Sequence, residues 1–123
     1  MRVFYSLVSL VLMLFGSAFQ SAAAADFPTK TVRLIVPFPP GGATDALARL
    51  MAEKLSDKWK QAVVVENKPG ANTAIGTDIV AKSVPDGHVI GIVTGAHVTN
   101  PLLGAKLPYD TLKDLTGVMM LTR

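Results

Sequence analysis

One ten-residue stretch constrains this chain more than any other: Val36-Pro37-Phe38-Pro39-Pro40-Gly41-Gly42-Ala43-Thr44-Asp45. It follows the strand-like run Thr31 to Val36 and precedes an amphipathic pattern from about Ala43 to Lys58. It is therefore a strand-loop-helix junction. Proline fixes φ and cannot donate to a sheet ladder, so Pro37, Pro39 and Pro40 end the strand and stiffen the loop. Gly41 and Gly42 carry no Cβ and let a ligand approach the backbone. The first N–H groups of a helix have no intrahelical partner and lie at the positive end of its dipole. Together these features suit an anion such as a carboxylate. The plain alternative is a junction that binds nothing. No Gly-Lys-Ser/Thr follows the glycines, so the stretch is not a P-loop, and it is not Gly-x-Gly-x-x-Gly either.

The first residues read as a leader rather than as fold. Met1-Arg2 is a short positive start, Val3 to Phe15 is apolar, and Ser17 to Ala25 is rich in small residues. That order predicts a secretory signal peptide over residues 1–25, cut after Ala25, with a cut after Ala24 nearly equivalent. The apolar run is shorter than the roughly 20 residues a membrane-spanning helix needs. An exported protein without cysteines suits a bacterial periplasm. Without Arg2 the twelve basic residues become eleven against nine acidic ones, a net charge of +2. Such a balance, with no clustered basic face, argues against nucleic acid as a partner.

Residues 26–123 read as alternating strands and helices. Val32 to Val36 is a buried strand apart from Arg33. The first helix would turn Leu47, Leu50, Met51 and Leu55 inward, with Arg49, Glu53, Lys54, Asp57 and Lys58 on its other faces and Trp59 packed at its end. Ala62 to Glu66 is a β-branched second strand. A loop from Asn67 to Thr73 leads to a second helix over about Asn72 to Ser83, with Asn72 or Thr73 as N-cap and Ile75, Ile79 and Val80 inward. Pro85-Asp86-Gly87 is a turn, and His88 to Thr94 a third strand. A third loop covers Gly95 to Pro101, with a helical turn at Leu102 and Leu103. Asp110 can cap one turn through Leu115, and Thr116 to Leu121 resembles the start of a fourth strand.

This β-α-β-α-β order predicts an α/β fold, an open and mostly parallel sheet with helices on both faces. Ligands in such sheets bind outside the carboxyl ends of the strands, where all three loops lie. The candidate ligand-binding residues are Pro40, Gly41, Gly42, Ala43, Thr44 and Asp45 in the first loop, Ala71, Asn72 and Thr73 in the second, and Thr94 and His97 in the third. Thr44 either donates to a carboxylate or caps its helix. Asp45 serves the helix dipole or meets an amino group. His97 is a carboxylate donor or a surface histidine, His88 is structural, and Asn100 is first a turn residue. Two histidines without a carboxylate cluster make no metal site, and no cofactor motif is present. Catalysis finds no Gly-x-Ser-x-Gly, no cysteine and no paired carboxylates.

The same residues resemble a known family. Val36 to Asp45 followed by Ala48-Arg49 is similar to the first loop and helix of the Bug-type extracytoplasmic solute receptors of tripartite tricarboxylate transporters. Val64-Val65-Glu66-Asn67-Lys68-Pro69-Gly70-Ala71 resembles their second-strand motif. Pro85-Asp86-Gly87 resembles their turn, and Asn100-Pro101 with Leu107-Pro108-Tyr109-Asp110 resembles the segment after their third strand. Each motif alone is weak; together, in order through residues 26–123, they are specific. The resemblance implies a type II periplasmic-binding-protein fold of two α/β domains closing on a small organic acid. Its partners would be the membrane subunits of the transporter. Residues 26–123 would be part of the first domain, with the second absent. Where the family is usually glycine-rich, this chain has Asn72 and Thr73. The competing expectations are a truncated product with no function of its own, left with an exposed strand edge, or a fragment of an exported α/β enzyme.

Overall fold

The computed structural model describes residues 26–122, so the leader and its cleavage at Ala25 lie outside the described residues. Three strands, β1 (Val32–Val36), β2 (Val63–Asn67) and β3 (Val89–Gly91), alternate with three helices, α1 (Ala43–Trp59), α2 (Ala74–Ala81) and α3 (Gly95–Leu102). The strands form one parallel sheet in the order β2-β1-β3. Val32 of β1 pairs with Val63 and Val36 with Asn67, while Leu34 pairs with Ile90 on the other side. This is the α/β architecture expected from the strand-helix alternation.

Alternation along β1 sends its side chains to two faces. Val32, Leu34 and Val36 join Val63, Ile92 and the α1 residues Ala48 and Ala52 in one core, with Leu55, Trp59 and Val65 packed at its margin. Ile35, also fully buried, points the other way. On that face α2 covers β1 and β3, and Val80 lies so close to Gly91 that a Cβ there would meet its Cγ2 at 2.6 Å. Helices therefore flank the sheet on both sides.

Several expected details differ. The fully buried stripe of α1 is Asp45, Ala48 and Ala52; of the expected apolar stripe, Leu47, Met51 and Leu55 are half-buried, Leu55 against the core, and Leu50 is 54% exposed. Small side chains let the helix lie close on the sheet, which rotates the larger ones to its flanks. Helix α1 runs one residue beyond Lys58 and ends at Lys60, whose left-handed backbone (φ 55°) lets its N–H bond to Ser56 O at 2.9 Å. Helix α2 is shorter than expected and buries Ala74, Gly76 and Thr77, leaving Ile75 half-exposed. Gly76 is needed here, because a Cβ would come within 2.9 Å of both Lys68 O and Pro37 Cβ. Ladder-type bonds continue on either side of β3, from Arg33 N–H to His88 O and from Ile92 N–H to Ile35 O.

The third loop is instead helix α3, with Pro101 in its last turn. Asn100 is thus a buried helical residue and not a turn residue. Thr116 to Leu121 forms no strand and pairs with neither outer strand, β2 or β3, of the described sheet. The one-turn helix after Asp110 is a turn, yet Asp110 still caps it by accepting the N–H groups of Leu112 and Lys113.

Candidate functional site

β1, β2 and the third connection all deliver loops to the same end of the parallel sheet. The first of them is fixed by one carboxylate. Asp45, in the first turn of α1, is 4% exposed and accepts the N–H of Gly41 at 2.9 Å. Its oxygens also take Arg49 Nε at 2.9 Å, Arg49 Nη2 at 3.1 Å and Asn67 Nδ2 at 2.9 Å. Asn67 Nδ2 donates as well to Phe38 O at 3.0 Å. The Arg49 guanidinium first, then the Gly41 N–H and the Asn67 amide, hold the Asp45 carboxyl far below the usual carboxylate range. It stays ionised throughout the physiological range.

This network divides the loop's donors into two groups. Gly41 N–H is already satisfied internally. Among the described residues, the N–H groups of Gly42, Ala43 and Thr44 have no backbone or side-chain partner. Gly42 is the N-cap of α1 and no side chain caps it, so Thr44 does not serve as a cap. A Cβ at Gly41 or Gly42 would meet nothing within 4 Å, so this part of the loop opens outward. Gly41 also has φ +89°, a conformation glycine adopts without penalty. Pro40 is exposed on the approach.

The second loop is unusual in its backbone. Gly70, Ala71, Asn72 and Thr73 all have positive φ, at 128°, 47°, 48° and 74°. Three consecutive non-glycine residues there cost roughly 1–2 kcal/mol each, most for β-branched Thr73. Thr73 is the N-cap position of α2 without a side-chain cap bond, and its side chain is buried. Asn72 Nδ2 donates to Asn100 Oδ1 at 2.6 Å, and Asn100 Nδ2 returns to Asn72 O at 2.9 Å. This exchange ties the second loop to α3.

Thr94 is the N-cap position of α3, and its carbonyl accepts His97 N–H at 2.9 Å. The His97 ring turns toward the following segment: Nε2 lies 3.1 Å from Thr111 O, and the ring stacks parallel to Tyr109 at 6.5 Å. An open depression of about 310 Å³ beside Tyr109 and Thr111 is lined by none of the candidate residues. His88 is buried and structural, accepting Thr29 N–H at 3.2 Å. The residues overlooked in the sequence are Arg49 and Asn67. The Asp45–Arg49 spacing of four on one helix was a readable ion-pair signal; Asn67 gave none, because its partners are 22 and 29 residues away.

Residues 47–123 match the family model described as the tripartite tricarboxylate transporter family receptor. The protein BugT of Bordetella pertussis is 41% identical over 100 residues, covering 80% of this chain and 31% of BugT. MatC of Rhodopseudomonas palustris, solved with bound malate, superposes with a TM-score of 0.66 at 37% identity, over 72% of this chain and 30% of MatC. A second R. palustris protein, solved with adipate, gives a TM-score of 0.57 at 43% identity, over 58% of this chain and 24% of that one. The chain spans about a third of the length of the curated relatives it matches. These relatives are solute receptors rather than enzymes. The chain belongs to the tripartite tricarboxylate transporter receptor family.

Proposed function

We propose that this chain contributes the first wall of a periplasmic receptor that captures a small carboxylate for a tripartite tricarboxylate-type transporter. The observation that carries this reading is the set of unsatisfied N–H groups of Gly42, Ala43 and Thr44 at the start of α1, at the carboxyl end of β1. Such donors stabilise an anion without a charged side chain. The malate and adipate in the two R. palustris relatives are anions of this class. Pro40 to Thr44 would make the primary contact, with Asp45 behind them. Ala71, Asn72 and Thr73 would form the second edge of the site, and Thr94 and His97 the third. Residues 1–25 would direct export and be removed after Ala25. The second wall would come from a further α/β domain, and membrane subunits of the transporter would receive the ligand.

Calorimetric titration with malate and adipate, against diamines of matched length, tests this. The dicarboxylates should bind and the diamines should not. Equal response to both classes, or to neither, would overturn the reading.

A further inference from the structure

Arg49 and Asn67 contribute neither a backbone donor nor a helix end to the proposed site, yet both converge on Asp45. Asn67, the last residue of β2, donates to Asp45 Oδ1 at 2.9 Å and to Phe38 O at 3.0 Å, while its Oδ1 lies 3.3 Å from Arg49 Nη2. Asp45 in turn accepts Gly41 N–H at 2.9 Å. The first loop is therefore pinned on both sides of Pro39-Pro40, at Phe38 and at Gly41. Both pins run through the Asp45–Asn67 pair. The charge matters as much as the geometry. A buried carboxylate in the first turn of α1 places a negative charge close to the free donors of Gly42, Ala43 and Thr44. Alone it would repel an incoming anion. Arg49 meets it with two hydrogen bonds from one guanidinium, at 2.9 and 3.1 Å.

Building on the reading of this loop as a carboxylate site, we propose that Arg49 and Asn67 are positioning residues that act through Asp45. Asn67 fixes the loop so that Gly41 is satisfied internally and the next three donors remain free. Arg49 neutralises Asp45, so the loop selects an anion instead of an amine. Asn67 also couples the loop to the end of β2, and the shape of the site depends on strand pairing.

Two measurements test this. The first needs no ligand: amide hydrogen exchange in Asn67→Ala. The Gly41 amide should exchange about tenfold faster or more, the loss expected for hydrogen bonds to a charged group, while the Ile35 amide in the core is unchanged. An unaltered Gly41 rate overturns the pinning role. Should Asn67→Ala also loosen Ile35, Asn67→Gln takes its place, since it displaces the same amide by one methylene. The second measurement is malate and adipate affinity against salt. Arg49→Gln should weaken binding about tenfold at low ionic strength, with a gap that narrows as salt screens the unpaired Asp45 charge from the incoming acid. The neutral double variant Asp45→Asn/Arg49→Gln should recover most of that affinity. A double variant as weak as Arg49→Gln means that Arg49 touches the ligand itself, and overturns the neutralising role. If the unaltered protein binds neither acid, the carboxylate reading fails, and Gly41 exchange still decides the pinning role.

Discussion

Ala71 shows how much a single backbone angle can matter in this chain. Its φ of 47° and exposed side chain mean that nothing is gained by its methyl group, while the left-handed backbone carries a penalty. Ala71→Gly should therefore raise stability by about 1 kcal/mol, measured as a shift in the urea midpoint with unchanged slope. Asp86 carries a second residue-scale effect. Its carboxyl is pushed down from 3.8 to about 2, first by the backbone N–H of His88 and then by Lys30. A carboxyl that binds its proton less readily when folded stabilises the fold only while it is ionised. That contribution is complete above about pH 4 and is lost as pH falls towards 2. Asp86→Asn should be less stable than the unaltered protein at neutral pH and should flatten the fall in stability between about pH 4 and 2. A midpoint-against-pH series checks it. At this scale the sequence was only partly legible. Asp45 was readable as a first-turn acid with a structural role. Its partnership with Asn67 was not, because it depends on how far apart β1 and β2 stand after folding.

At the scale of elements, β1, α1 and β2 were legible nearly to the residue, because a β-branched run, a proline-glycine break and a helical period leave few alternatives. The face of α1 was not. Its leucines have the right spacing for a core stripe, but the centre of the contact is Ala48 and Ala52, with Leu55 at the core margin and Leu50 exposed. This makes a clear prediction. Leu50→Ala should change stability by no more than about 0.5 kcal/mol, as at an exposed site. Ala48→Leu should cost about 1–3 kcal/mol through overpacking against β1. If thermal or urea unfolding ranks the two variants the other way, the leucine face is the buried one. Helix α3 and the missing fourth strand had a common cause. Gly95 and Pro101 read as loop punctuation, and Thr116 to Leu121 as a strand, but local signals do not reveal whether a sheet edge is available. The structure gives the first segment a helix joined to Asn72 and gives the second no partner strand.

For the whole molecule, the apolar surface is unevenly distributed. Leu102, Leu103, Leu112, Val118, Met119 and Met120 are all more than two-thirds exposed, whereas β1 is buried almost completely. The exposed residues lie on the segment following β3. The proposed first-loop site is at the carboxyl end of β1. That site is local: the proposed carboxylate contacts are the free backbone N–H groups of Gly42, Ala43 and Thr44. Backbone amide shifts recorded while malate and then adipate are added to the isotope-labelled protein test these contacts. Saturable shifts are expected, centred on Gly42, Ala43 and Thr44, with smaller ones in Ala71 to Thr73. Shifts confined to other regions, or none in a folded protein, would contradict the proposed contacts.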